Sequence, residues 1–342
     1  MTEPTSDLPR LQAAMTAKNT VRAWSEGLEQ FELFRAVHDA GWLEHLGKPT
    51  TAELLAGTVA VPVKQVATVL SILAASGVVQ ADEGSRYSLT PEFEALLADD
   101  TGVTLIPSLE GVDLARDAVR RAVVPPDQRT GLSGVQALSV ARNTGLAPTD
   151  AARELYSVLY GAIPEYRERL AEGGPLLDVG CGVGGALLTT LTLFEDLHAV
   201  GIELVPEVAE ETRARAKEAG VDGRVEVRAV DARDLADKSE FTAAFWAQPF
   251  FTAEARPAVL AAILRALKPG GLLVVQELFP PTAEGTQEPL RSQLDRLFFE
   301  QRNAVFAMSA EDMAAEAAVV GFALGRIIES PLGRLILMRK PD

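Results

Sequence analysis

Pro175-Leu176-Leu177-Asp178-Val179-Gly180-Cys181-Gly182-Val183-Gly184-Gly185 runs straight into the apolar stretch Ala186 to Phe194. The order is that of a short buried strand, a glycine-rich turn and the start of a helix. Backbone at Gly180, Gly182 and Gly184 carries no Cβ, so a ligand can approach it closely. The free N–H groups of the following helix start then face that ligand. A turn of this kind can also do no more than pack a helix on a sheet. Two acids argue for a site instead: Asp178 inside the strand, and Glu203 at the close of the next strand, His198 to Leu204.

An acid about 20 residues beyond the glycines, at the tip of a second strand, is placed to bind the two hydroxyls of a ribose. A dinucleotide and S-adenosylmethionine (SAM) both present such a ribose. Glycine spacing separates them: the dinucleotide fingerprint G-x-G-x-x-G sets backbone against a pyrophosphate, whereas here the run is Asp-x-Gly-x-Gly-x-Gly-Gly. A third acid, Asp231, ends a later strand (Arg224 to Val230), where it can accept from an adenine amine with the Ala232 N–H nearby. A fourth strand, Phe241 to Ala247, ends in Trp246-Ala247-Gln248-Pro249-Phe250-Phe251. Lys268-Pro269-Gly270-Gly271 then turns the chain into a fifth. Alternating strands and helices imply a parallel sheet covered on both faces, with ligands at the carboxyl ends of its strands. Asp178, Glu203, Asp231 and Gln248 all fall at or near such ends.

Upstream, residues 1–18 are expected to form a loose arm. Helices follow over 21–46 with Gly41 as a break, a capping-box start at Thr50-Thr51-Ala52-Glu53, a helix opened by Pro62 and stopped by Gly77, a hairpin over 78–89 and a helix capped by Thr90-Pro91. That order is a winged-helix pattern. Residues 1–100 hold 7 Lys/Arg against 14 Asp/Glu, and the candidate recognition helix offers only Lys64. Phosphate binding needs basic neighbours, so dimerisation is favoured over DNA binding. Residues 101–172 read as a helical linker or lid interrupted at Pro125-Pro126 and Thr130-Gly131. Tyr156, Tyr160 and Tyr166 stand there, just before the glycine strand, as candidate pocket residues or as packing.

The whole chain has 342 residues, 47% hydrophobic, with a formal charge of −16. That charge argues against nucleic acid or an anionic membrane as a partner. One cysteine excludes an intramolecular disulfide and a cysteine zinc cluster, and Cys181 reads as packing. No apolar run of about 20 residues suggests a membrane span, and the acidic N-terminus is unlike a secretory signal. The expectation is a cytoplasmic protein.

From about residue 175 the chain resembles class I SAM-dependent methyltransferases. The shared features are the Asp178–Gly185 turn, Glu203, Asp231 and the turn Leu267 to Leu273. With its N-terminal part it resembles the two-domain, plant O-methyltransferase-like enzymes of bacterial natural-product pathways. The resemblance implies an α/β fold: a Rossmann-like doubly wound sheet of seven strands, the last antiparallel, with an N-terminal all-helical, winged-helix-like dimerisation domain. The implied division is 1–100 for dimerisation, 101–172 for the lid and 173–342 for SAM binding, in a homodimer. SAM would rest on Asp178, Gly180, Gly182, Gly184, Glu203, Leu204, Asp231, Ala232 and Trp246, leaving as S-adenosylhomocysteine. Catalytic candidates are Gln248, Tyr156 and Tyr160, and substrate candidates are Phe251, Glu300, Arg302 and Asn303, with no metal.

Relatives of that group place a His-Asp pair after the fourth strand. Here that place reads Ala247-Gln248-Pro249-Phe250-Phe251, and the chain's histidines are His38, His45 and His198. Without a histidine base, a small molecule methylated at nitrogen or carbon is favoured over an alcohol. Gln248 to Phe251 faintly resembles the (Asn/Asp/Ser)-Pro-Pro-(Tyr/Phe) motif of N-methyltransferases. Two other readings stay open. One is a SAM-utilising enzyme that transfers no methyl, such as a cyclase forming azetidine-2-carboxylate with release of methylthioadenosine, or a pericyclase. The other is a SAM-sensing binding protein.

Overall fold

A computed structural model describes residues 7–98, 100–125, 131–283 and 285–342. The chain divides into two compact units, Met1–Ala98 and Asp99–Asp342.

The first unit holds α1 (Leu8–Asp39), a 3₁₀ turn (Leu43–Leu46), α2 (Ala52–Val59), α3 (Val63–Ala75), the hairpin of β1 (Val79–Ala81) and β2 (Tyr87–Leu89), and α4 (Pro91–Leu97). The expected arm is corrected: the chain is helical from Leu8 onward, while residues 1–6 lie outside the described residues. Pro9 suits the first turn, and Leu11 to Met15 are strong helix formers. The cap of α2 also shifts by one residue. Thr51 accepts from the Leu54 N–H, while Thr50 pairs its backbone with Tyr87 beside the hairpin. Leu46, Leu55, Val66, Leu70 and Leu73 make the core of this unit.

The second unit opens with α5 (Leu105–Ala122), α6 (Gly134–Thr144), α7 (Asp150–Gly161) and α8 (Pro164–Ala171). Pro126 and Thr130, two of the expected interruptions, lie outside the described residues. Then alternate β3 (Leu176–Val179), α9 (Gly185–Leu193), β4 (Ala199–Glu203), α10 (Pro206–Glu218), β5 (Val225–Ala229), β6 (Phe241–Trp246), α11 (Arg256–Ala266) and β7 (Leu267–Gln276). The chain closes with α12 (Leu290–Glu300), α13 (Ala310–Val319), β8 (Ala323–Ile328) and β9 (Leu335–Arg339).

The sheet order is β5-β4-β3-β6-β7-β9-β8, parallel from β5 to β7, with β9 antiparallel to both its neighbours. Period-two alternation sends Leu177, Val179, Ala244 and Trp246 into one core with α11 and α13. Leu176, Ala243, Leu272 and Val274 go into the other, with α7, α8 and α9. Chain order reverses between β3 and β6, so a crevice opens at the carboxyl ends of those strands. No single helix among the described residues is long and apolar enough to cross a membrane.

Candidate active site

The glycine turn sits at that reversal. Gly180, Gly182 and Gly184 have φ of +77°, +56° and +79°, the left-handed region that side chains disfavour. Their surroundings differ. A Cβ on Gly184 would meet Thr212 at 2.8 Å, and one on Gly180 would meet the Phe251 ring at 2.9 Å, so packing demands glycine at both. One on Gly182 would find only Ala141, at 4.0 Å. The open space of the turn is therefore at Gly182, whose carbonyl is held by the Thr212 hydroxyl at 2.5 Å.

Glu203 ends β4 with both carboxylate oxygens anchored. Oε2 accepts from the Gly182 N–H at 3.1 Å and Oε1 from the Val205 N–H at 3.0 Å. Burial pushes its pKa up, and those backbone donors pull it back. Each oxygen keeps a lone pair for a ribose hydroxyl. Leu204 beside it is 63% exposed, an apolar platform for a flat base.

Asp178 is the other acid of the turn. Its carboxyl is buried, and Oδ1 has no hydrogen-bond partner among the described residues. Burial first, and the Glu203 charge second, push its pKa up to about 7. Asp178 shares a cavity of about 20 Å³, room for about one water, with Tyr156, Tyr160, Tyr166, Thr190 and Gln276. The Tyr160 hydroxyl bonds to Thr190 Oγ1 at 2.5 Å. Burial, with the Asp178 charge adding to it, holds both Tyr156 and Tyr160 phenols well above their ordinary range. Neither is a base at neutral pH. As pocket candidates, both line the cavity of that acid.

Two further expectations change. Gln248 is 4% exposed and its amide oxygen accepts from Arg256 Nη1 at 2.5 Å, while Arg256 also pairs with Glu316 at 2.6 Å. The side chain expected to hold an amine therefore holds an arginine. Trp246 alternates into the core, below Phe251 (ring centroids 5.6 Å apart) and Arg256, and does not open onto the crevice. Asp231 ends its strand as expected, but its carboxylate caps its own turn and pairs with Arg233 at 2.7 Å. Ala232 is buried beside it. Cys181 is buried, which pushes its thiol up and leaves it inert.

Of the substrate candidates, Phe251 lies over Gly180, Glu300 ends α12 exposed, and Arg302 and Asn303 form the next turn. The backbone of that turn is joined to the Phe251 loop: the Ala253 N–H donates to the Asn303 carbonyl at 2.8 Å, and Thr252 bridges to Ala304. The end of α6 also belongs to the site, and no residue pattern there announces it. Leu146 backbone stands 2.7 Å from where a Gly185 Cβ would be, so residues 141–146 roof the glycine turn. Only the start of that helix is legible, where Ser133 and Gln136 form a full capping box.

These residues fit SAM. The orphan Asp178 oxygen suits its ammonium, the anchored Glu203 its ribose, and the room at Gly182 its close approach. Residues 176–271 match a family model described as a methyltransferase domain. The stretch from β3 into β7 is thus similar to a methyltransferase domain. Solved structures of similar fold run the length of the chain. A mitomycin 7-O-methyltransferase is 18% identical, with 96% of this chain and 99% of that one covered and a TM-score of 0.68. Human N-acetylserotonin methyltransferase, in complex with SAM, is 17% identical over 100% of each chain, with a TM-score of 0.64. An N,N-8-amino-8-demethyl-D-riboflavin dimethyltransferase from Streptomyces davawensis is 16% identical over 95% and 99%, with a TM-score of 0.63.

Proposed function

We propose that this protein is a SAM-dependent methyltransferase acting on a small molecule at nitrogen or carbon rather than at oxygen. The observation that carries it is the glycine turn with Glu203 anchored across it, an arrangement preorganised for a ribose. SAM supplies an activated methyl whose bonding pair leaves with sulfur. Gly182 backbone and Glu203 hold the donor, Asp178 takes its ammonium, and residues 141–146 shield it from water. Preference for nitrogen or carbon follows from the proton inventory. The one histidine of this unit, His198, lies at the amino end of β4, away from the glycines, and the buried tyrosines hold their protons. A neutral amine needs positioning more than it needs a base. Among the similar folds, the riboflavin-type dimethyltransferase bears a name describing methylation at an amine.

A second reading, a SAM-utilising cyclase, draws on Asp178. A carboxyl titrating near pH 7 beside the ammonium of SAM could take its proton and free an internal nucleophile. One incubation separates the two. Purified protein, SAM and source-cell extract are assayed for adenosyl products by mass spectrometry. Extract-dependent S-adenosylhomocysteine supports methyl transfer, whereas methylthioadenosine from SAM alone overturns it.

We also propose a homodimer through the N-terminal unit. Along α1, Leu8, Leu11, Met15, Val21, Trp24 and Leu28 are each more than half exposed, more apolar surface than a lone helix keeps in water. A cytoplasmic place in secondary metabolism completes the proposal and rests on the family resemblance. Light scattering that gives a monomer mass would refute the dimer.

A further inference from the structure

Asp178 leaves β3 towards α7, α8 and α9, the face to which Leu176 also turns. It is 2% exposed, and Oδ1 has no hydrogen-bond partner among the described residues. Tyr156 and Tyr160 of α7, Tyr166 of α8, Thr190 of α9 and Gln276 of β7 line its cavity, while β6 and β9 face it with apolar residues. Among the described residues, no lysine, arginine or histidine lines it. The charge that bears on the carboxyl is Glu203 of β4, of its own sign, and the Cys181 thiol nearby is held neutral by burial. Arg213 of α10 bears on that thiol, and is itself paired with Glu210 and the Val227 carbonyl.

A buried carboxylate with an unpaired oxygen, and a second carboxylate for a neighbour, is costly. A proton relieves that cost, and so does a cation. Without a ligand the proton is what remains, and burial with the Glu203 charge raises the pKa to about 7. The cavity is about 20 Å³, room for about one water, and an ammonium group is of the same size. Ala186 and Leu187, in the first turn of α9, bound it, so the cavity adjoins the glycine turn that receives the donor.

We propose that Asp178 keeps a proton until the donor binds, and releases it to solvent when the donor's ammonium enters the cavity. This rests on the reading of the turn as a SAM site and adds a proton to its binding. The carboxyl O–H bond breaks, the proton goes to the buffer, and the carboxylate left behind pairs with the ammonium. Because proton and ammonium compete, affinity falls as pH drops through 7, by about tenfold from pH 8 to pH 6. A donor fragment without the ammonium meets no such competition.

Calorimetry on the full-length protein at pH 6.5, in phosphate and in imidazole, counts the proton, since the two buffers differ in ionisation enthalpy. The probes are S-adenosylhomocysteine and 5′-methylthioadenosine, which has the same ribose and adenine but no ammonium. About 0.8 proton should leave per S-adenosylhomocysteine bound, and none with methylthioadenosine. The second probe separates Asp178 from Glu203, which faces a ribose in both cases. Asp178→Asn should bring the first count to zero and make affinity independent of pH between 6 and 8. If the variant does not fold, the wild-type contrast between the two probes decides. No binding of S-adenosylhomocysteine at pH 8 would remove the SAM reading itself, and this inference with it. Binding with fewer than about 0.3 proton released, an equal release with methylthioadenosine, or a release that survives Asp178→Asn would overturn the assignment and leave that reading standing.

Discussion

Glu203→Gln tests the ribose assignment with almost no change of shape. The carboxylate accepts one backbone N–H at each oxygen, Gly182 at 3.1 Å and Val205 at 3.0 Å. The amide has one acceptor oxygen and one donor nitrogen, so whichever way it is turned, one of those N–H groups faces another donor. Leaving it unpaired costs about 1–3 kcal/mol, with or without ligand, so this loss falls on stability. It is partly offset, because the variant no longer buries a charge whose pKa burial raises. Affinity is hit separately. One ribose hydroxyl loses a charged acceptor, worth about 1.5–3 kcal/mol, or roughly tenfold to a hundredfold in Kd. Thermal shift reads the same quantity. Ligand at a thousand times the wild-type Kd stabilises the wild type by about 4.1 kcal/mol, and at a hundredfold weaker Kd by only about 1.4 kcal/mol. Calorimetry with S-adenosylhomocysteine at pH 8 gives Kd directly. A Kd within threefold of wild type, in a folded variant, refutes the role of Glu203.

Asp178→Asn should change how stability depends on pH. With a folded pKa raised to about 7, the native state keeps a proton that the unfolded chain has already lost, so wild-type stability falls between about pH 4 and 7 and then levels. The variant should flatten that slope, by on the order of 4 kcal/mol across the window, and urea midpoints at pH 5 and 8 check it. Gly184→Ala should lower stability by several kcal/mol, since its methyl meets Thr212 and Leu188 in a left-handed backbone. Gly182→Ala should lose only about 1–2 kcal/mol of stability yet lose S-adenosylhomocysteine binding, because its methyl enters the open space of the turn; equal binding by calorimetry would move the ligand elsewhere. Tyr160→Phe removes a bond to a Thr190 hydroxyl that still donates to the Ala186 carbonyl, so about 1 kcal/mol of stability should go and turnover should stay. A hundredfold fall in kcat would return Tyr160 to catalysis.

What could be read from the chain is what the backbone carries. Glycines at 180, 182 and 184 state their own φ, and an apolar run after them states the helix. Strand length then delivers Glu203 to the same edge, so the donor half of the site follows from local pattern alone. The beginning of α1 escapes such reading for the converse reason: residues 8–20 lie exposed all round, and without a buried face a helix has no period to detect. Side-chain roles are harder, because each depends on a partner far along the chain.

Gln248 shows why. It follows β6 directly, and no local pattern reveals that Arg256 turns back from α11 to take its oxygen. Arg256 is buried there because Glu316, 60 residues further on, completes its pairing. Tyr160 is claimed in the same manner by Thr190, 30 residues on. A buried polar group must find a partner, and which partner it finds is settled by packing between elements, not by spacing within one. Asp178 departs from that rule: its buried Oδ1 keeps no partner among the described residues, and an oxygen that folding leaves unsatisfied is where a ligand has something to contribute.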